Sequence, residues 1–323
     1  MNKKIAFLFP GQGAQYPGMA QDFYEAFAVA RETFEEADEI LSCKFSDLIF
    51  RGSAAELTLT KNSQIAIYIA SIAILRTIQQ QIPQLEPAVC AGLSLGEYTA
   101  LTAAGKISFK ECLLLVQARA QYMNDACETH PGTMQVVLGM DAQKVEELVG
   151  QINPPHLVWV ANLNCPGQVV IAGTKSGMEA AAEHLKANGA KRTLPLEVSG
   201  AFHSGLMKEA QNKLGPAILA ADLRETQVDL VMNVPGDYVT ALEQIRQNMI
   251  QQVTSPVRWE QGIRAMMKNG VTGYLEIGCG KTLVGMNKRI GVQEPSLSIE
   301  KQTDLECVFE FLNIGIAHAT IEK

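Results

Sequence analysis

Apolar residues along the chain fall into two textures: short continuous runs, and longer segments with a three-to-four-residue spacing. The run Ile5–Phe9 is continuously apolar and closes at Pro10-Gly11, which fits a strand covered on both faces. Over 22–41, Phe23, Phe27, Ala30, Phe34, Ala37 and Leu41 recur near helical spacing, predicting an amphipathic helix laid over a sheet. Positions 64–75 are apolar on most faces and predict a buried helix. A second short strand is predicted at 87–91 and a helix over 95–104. Ser108-Phe109-Lys110-Glu111 has the pattern of a capping box, opening a helix to about residue 126.

From residue 133 the texture changes. MQVVLG reads as a strand, Asp141 caps a helix to about residue 149, LVWVANL and QVVIAG read as strands, 175–188 as a helix stopped by Gly189, and RTLPLEV as a strand. Strand-helix-strand-strand-helix-strand is the order of a ferredoxin-like module. The expectation is therefore a small domain, 129–198, inserted into a large one made of 1–128 and 199–323. After Gly200 longer helices alternate again with buried strands at 227–234 and Gly273–Ile277, and a last helix is predicted over 305–319. Strands separated by helices imply an α/β fold with a mainly parallel sheet covered on both faces.

Composition narrows the function classes. The 323 residues carry a formal net charge of −7, with Lys and Arg scattered, so a phosphate-backbone partner is disfavoured. The pairs Lys191-Arg192 and Lys288-Arg289 read as solvated surface. Seven cysteines, odd in number and never spaced CxxC, fit neither a disulfide framework nor a zinc knuckle. The basic-apolar start breaks at Pro10 with no cleavage site after it, and the apolar stretch 65–75 is too short to span a bilayer. The expected setting is cytoplasmic, with no nucleic acid and no membrane.

Candidate chemistry centres on Ala91-Gly92-Leu93-Ser94-Leu95-Gly96. GxSxG between a buried strand and a helix exposes a serine hydroxyl on a sharp turn and aims the following N–H at a developing oxyanion. The alternative is a helix N-cap serine. A nucleophilic serine needs a base. Of the five histidines, His130 and His156 lie beside prolines, His184 is mid-helix and His318 falls in the last helix. His203 sits in the Gly/Ser-rich turn Ser199-Gly-Ala-Phe-His-Ser-Gly205 and is the preferred base, a structural histidine being the alternative. Arg119 lies in a helix among apolar and small neighbours. Buried there it needs a partner, and its planar fork suits a carboxylate; exposed, it would need none.

Gly280-Lys281-Thr282 imitates the end of a phosphate-binding loop, but Leu275 stands where the first glycine is required. Gly11-Gln12-Gly13 lacks the third glycine of a dinucleotide fingerprint, Tyr16 taking its place. HExxH and other metal-ligand spacings are absent from the sequence, so no metal is expected.

Taken in chain order, FPGQGAQ, GLSLGEYTAL, QARAQYM, VANLNCPGQVVIAG, GAFHSGLM, Gln252 ahead of SPVRW, and EIGCGKTL resemble the malonyl-CoA:acyl carrier protein transacylases over almost the whole chain. The resemblance implies an α/β-hydrolase-like large domain with a ferredoxin-like small one. It implies Ser94 as nucleophile, His203 as general base, the backbone N–H groups of Leu95 and Gln12 as oxyanion hole, and the Gln252 main-chain carbonyl as the group orienting His203. Arg119 would hold the free carboxylate of a malonyl group, and Phe202 would close the space a branch methyl needs. The implied substrates are malonyl-CoA and the phosphopantetheine thiol of an acyl carrier protein, with no tightly bound cofactor and a monomeric enzyme. Lys191 and Arg192 would face the carrier. Leu93, where many members have histidine, and Cys279, where many have proline, depart from the pattern. Alternatives are a stand-alone acyltransferase of polyketide synthesis, a serine hydrolase, and a non-catalytic carrier-binding protein.

Overall fold

The computed structural model of the chain describes residues 3–154 and 156–312. Six strands, β1 (Ile5–Phe9), β2 (Val89–Gly92), β7 (Asp229–Met232), β8 (Asp237–Tyr238), β9 (Gly273–Ile277) and β10 (Ser296–Ile299), form one sheet in the order β10-β9-β1-β2-β7-β8. The pairings within β10-β9-β1-β2-β7 are parallel, and only the edge strand β8 runs antiparallel, to β7. All five residues of β1 and of β9 are buried, as the continuous apolar runs require of strands covered on both faces.

The second sheet is built from β3 (Thr133–Leu138), β4 (Val158–Cys165), β5 (Gln168–Gly173) and β6 (Arg192–Pro195) in the order β4-β5-β3-β6. Its pairings are all antiparallel. Its two helices, Ala142–Ile152 and Lys175–Ala187, are capped by Asp141 and Thr174 side chains and cover one face. This is the ferredoxin-like arrangement, beside an α/β layer of mainly parallel strands.

The Thr60–Gln81 helix buries every residue from 63 to 75 and packs against the Phe109–Thr129 helix, which carries Arg119. A helix buried all round can bring a polar side chain to an interior site, and Gln64 is such a side chain.

Several local expectations change. The continuous helix expected over 22–41 is two, Gln21–Ala26 and Ala28–Leu41, separated by Phe27 in an extended conformation. Side-chain periodicity reports burial, and Phe23 and Phe27 still pack ring to ring, centroids 5.9 Å apart, so the break leaves no trace in the pattern. The capping box at Ser108 is half formed. Ser108 Oγ accepts from the Glu111 N–H, but the Glu111 carboxylate accepts the Asp222 N–H at 2.7 Å instead, a longer-range partner that a local motif cannot reveal. The short strands β8 and β10 were not expected. The last helix is described over Leu305–Leu312, and the rest of its expected span, to 319, lies outside the described residues. Among the described residues no helix is long and apolar enough to cross a membrane.

Candidate active site

The site lies at the carboxyl ends of β1 and β2, where open parallel sheets offer a crevice. Ser94 occupies the turn between β2 and the Gly96–Ala103 helix with φ of 53°, a left-handed conformation that costs a non-glycine residue of order 1 kcal/mol or more. Three glycines permit that turn. A Cβ on Gly92 would collide with the Gly96 backbone, one on Gly96 with the Phe9 carbonyl, and one on Gly11 with the Leu93 carbonyl. The nesting brings the 11–13 loop against the serine turn, and Gln12 and Ser94 line one cavity. Leu95, directly after the serine, is fully buried. Among the described residues neither the Gln12 nor the Leu95 backbone N–H is paired with another backbone group. Ser94's own N–H is taken, donating to Asn233 Oδ1 at 2.7 Å.

His203, the second residue with left-handed backbone here (φ 55°), faces Ser94 from the turn that follows the small sheet. Its Nε2 lies 2.8 Å from Ser94 Oγ and its Nδ1 lies 2.8 Å from the Gln252 carbonyl oxygen. A carbonyl only accepts, so Nδ1 carries the proton and Nε2 presents a lone pair to the hydroxyl. Burial and then the Arg119 cation pull the imidazole down to about 4, against the opposing effect of its hydrogen bonds to the Gln252 and Ser255 backbone. His203 is therefore neutral at pH 7 and fit to accept a proton.

Arg119 is buried, with 1% of its surface exposed. One Nη2 donates to Ser94 Oγ at 3.1 Å and to Gln252 Oε1 at 2.9 Å, and Nη1 donates to Gln64 Oε1. The guanidinium also lies 5.4 Å from the Tyr98 ring centroid, and its Nε has no acceptor. Burial lowers its pKa, opposed by the nearby Tyr98 and Glu97 groups. The exposed-surface alternative for Arg119 is excluded. A buried cation that donates to the hydroxyl leaves that hydroxyl's proton for His203.

Gln252, fully buried, uses its main chain for His203 and its side chain for the rest of the site. Its Nε2 donates to the Ser94 carbonyl at 2.9 Å and to Glu97 Oε1 at 3.0 Å. Glu97, Asn233 and Gln64 are absent from the sequence-based set. Glu97 follows Ser94 by three residues as the one charged residue of its helix, and Gln64 is a polar residue in a helix buried all round, signals of interior polar groups that no motif carries. Asn233 directly follows β7 and carries no local signal.

The cavity above Ser94 has a volume of about 230 Å³. One side is formed by Arg119, His203 and the 11–13 loop, the other by the small sheet through Met134, Asn162, Asn164 and Val170. Phe202, 6% exposed, and Leu93 also line it. The other described histidines lie elsewhere: His130 is 4.0 Å from Glu209, His184 pairs with Gln151 at 3.1 Å, and His156 is exposed beyond the small sheet's first helix. His318 is outside the described residues. Lys191 and Arg192 are exposed. Cys279 is buried. The Gly280-Lys281-Thr282 turn opens a helix whose first amides, Leu283 and Val284, already donate to the buried Glu276 carboxylate at 3.1 and 2.8 Å, so this helix start serves an internal acid.

The acyl transferase domain family matches residues 6–296. A malonyl CoA-acyl carrier protein transacylase of Bacillus subtilis is 44% identical over 310 residues, covering 96% of this chain and 97% of its own length. A solved acyl carrier protein S-malonyltransferase of Vibrio cholerae superposes with a TM-score of 0.90 at 38% identity, covering 94% of this chain and 99% of that one. A solved holo complex of a type II PKS acyl-carrier protein with its malonyl-transacylase gives a TM-score of 0.91 at 37% identity, covering 95% and 99%. With likeness of this extent in both sequence and fold, the chain belongs to the malonyl CoA-acyl carrier protein transacylase family of acyl transferase domains.

Proposed function

We propose that the protein transfers a malonyl group from malonyl-CoA to the phosphopantetheine thiol of a holo acyl carrier protein, through a malonyl-Ser94 intermediate and a ping-pong sequence. The observation that carries this reading is the pairing of an acid-free Ser94–His203 dyad with a buried Arg119 that donates to the same hydroxyl. His203 Nε2 takes the Ser94 proton as Oγ bonds to the thioester carbonyl carbon, and the Leu95 and Gln12 N–H groups receive the oxyanion. Collapse breaks the C–S bond, and the departing coenzyme A sulfur takes the proton from His203. The carrier thiol then gives its proton to His203, attacks the Ser94 ester and restores the hydroxyl.

Acylation turns Ser94 Oγ into an ester oxygen, a weaker acceptor, and so releases an Arg119 N–H. That donor, with the unpartnered Nε, meets the free carboxylate of the malonyl group in charge-assisted hydrogen bonds. An acetyl group offers nothing equivalent. The Gln252 carbonyl orients His203 without supplying a counter-charge, and Phe202 limits branching at the acyl α-carbon. We also propose the domain division at 128/129 and 198/199, which the segregation of the two sheets supports.

The same chemistry would serve a polyketide carrier, a second reading favoured by the solved relative whose carrier belongs to a type II PKS. The test is intact-protein mass spectrometry after brief exposure to malonyl-CoA, followed by holo carrier protein. One malonyl adduct that discharges onto the carrier is expected; steady release of malonate without carrier would make the protein a hydrolase. Arg119→Ala is expected to reduce malonyl over acetyl labelling by about a hundredfold, the worth of one or two hydrogen bonds to a charged group. Equal loss of both would make Arg119 structural.

A further inference from the structure

Behind the dyad lies a second layer of buried polar groups. Glu97 is wholly buried on the helix that starts at the nucleophile. Its Oε1 accepts from Gln252 Nε2 at 3.0 Å and its Oε2 accepts the Asn233 backbone N–H at 2.6 Å. Asn233 in turn accepts the Ser94 N–H on Oδ1 and donates through Nδ2 to the Gly92 carbonyl at 2.7 Å. One carboxylate is thus joined to both halves of the site: to the serine turn through Asn233, and to His203 and Arg119 through Gln252.

The donor pattern dictates the amide orientation of Gln252. As found, its Oε1 faces the Arg119 donor and its Nε2 faces the Glu97 acceptor. Rotated by 180°, it would set donor against donor and acceptor against acceptor. Both hydrogen-bond partners of Glu97 are N–H groups. The ionised form, which only accepts, matches the arrangement best.

We propose that ionised Glu97 is a positioning residue for acyl transfer, holding Gln252 and Asn233 so that His203, Arg119 and the Ser94 turn stay in register. This inference rests on the transferase reading above. The charged and titratable groups around Glu97 among the described residues are Arg119 from the Phe109–Thr129 helix, Tyr98 on its own helix, and His203 beyond Gln252. Burial raises the Glu97 carboxyl to about 8, against the Asn233 amide, Arg119 and the Gln252 amide, which all lower it. His203 titrates far below this, near 4, and Tyr98 is displaced upward by burial. A rise in acylation rate on the alkaline side of neutrality that is lost in Glu97→Gln reports Glu97.

The experiment is rapid-quench labelling of the intact enzyme by malonyl-CoA from pH 5 to 9.5 for wild type, Glu97→Gln and Glu97→Asp. Wild type is expected to speed up through a step near pH 8. Glu97→Gln should be about a hundredfold slower at the plateau, the scale of a 1 Å misplacement of reacting groups. It should also lose the step and narrow the malonyl-to-acetyl ratio. Glu97→Asp keeps a carboxylate and should keep a step at a displaced pH. A Glu97→Gln enzyme with the wild-type rate, or a slow one that retains the wild-type step, overturns the proposal. Should Glu97→Gln fail to fold, Glu97→Asp decides: an unchanged rate and an unchanged step overturn it, a displaced step supports it. Failure of wild type to form an adduct or to load the carrier sinks the transferase reading instead, and is read independently of pH.

Discussion

The two sheets of this protein solve the same packing problem with opposite materials. Under the small antiparallel sheet the core is aliphatic, built from Val137, Leu148, Val158, Leu163, Val169, Ile171 and Leu185 with Met140 and Met178. Between 133 and 195 the described residues bury one polar side chain, Asn164, and it lines the cavity. At the carboxyl end of the parallel sheet, Gln64, Glu97, Arg119, His203, Asn233 and Gln252 are all buried, and Ser94 and His203 hold left-handed backbone. Burying such groups is unfavourable unless each finds a partner. Here almost every partner is another member of the set, so the polar cluster is a single interlocked unit. The small sheet is a lid with an ordinary core; the large sheet accepts polar burial and strain where the chemistry is to be done.

The sharpest break in that contrast is Ser94→Ala. Removing a triad-type nucleophile costs about a millionfold in turnover, and labelling by malonyl-CoA should vanish while circular dichroism stays unchanged. Retained labelling would relocate the nucleophile. Next in size is Leu163→Ala, which should lower unfolding stability by about 2–5 kcal/mol, read from the urea midpoint, with little change in the acylation rate of the folded fraction. A large kinetic loss at unchanged stability would mean that the small sheet does more than cover the cavity.

Acid should expose the polar region selectively. The unfolded chain protonates His203 near its ordinary 6.5 and the native chain only near 4, so the unfolded state binds more protons in that window and native stability is lost as pH falls through it. The loss is about 3 kcal/mol. Urea unfolding of wild type and His203→Gln at pH 7 and pH 4 should show that much extra loss in wild type, whereas equal losses would mean that His203 is not held neutral. The smallest effect is expected at Phe202. Phe202→Ser should raise methylmalonyl relative to malonyl transfer by about tenfold, the worth of one methyl group in a pocket; an unchanged ratio would remove Phe202 from selectivity.

Much of this architecture is legible in the chain because it repeats a pattern. Continuous apolar runs mark β1 and β9, and the strand-helix-strand-strand-helix-strand order marks the small sheet, since burial on two faces and burial on one leave different periodicities. Ser94 is legible because the two glycines that flank it stand within five residues, Gly92 making room for the turn itself and Gly96 for the neighbouring strand at Phe9. The break at Phe27 is not legible, because side chains on either side still point into one core. Nor is the partner of Glu111, since the local and the distant N–H donor would use the same carboxylate.

The amino-acid sequence thus determined by itself the two kinds of sheet and the Ser94 turn, which follow from local sterics and hydrophobic period, while its motifs supplied a short list of polar residues able to serve that turn. Tertiary structure alone decided that Arg119 is interior, that His203 and not another described histidine meets Ser94, and that Gln64, Glu97 and Asn233 complete the cluster. Those facts depend on side chains from distant segments, among them residues 64, 97, 119, 203, 233 and 252, satisfying one another's hydrogen bonds. No spacing along the chain records which donor will face which acceptor once water has been excluded.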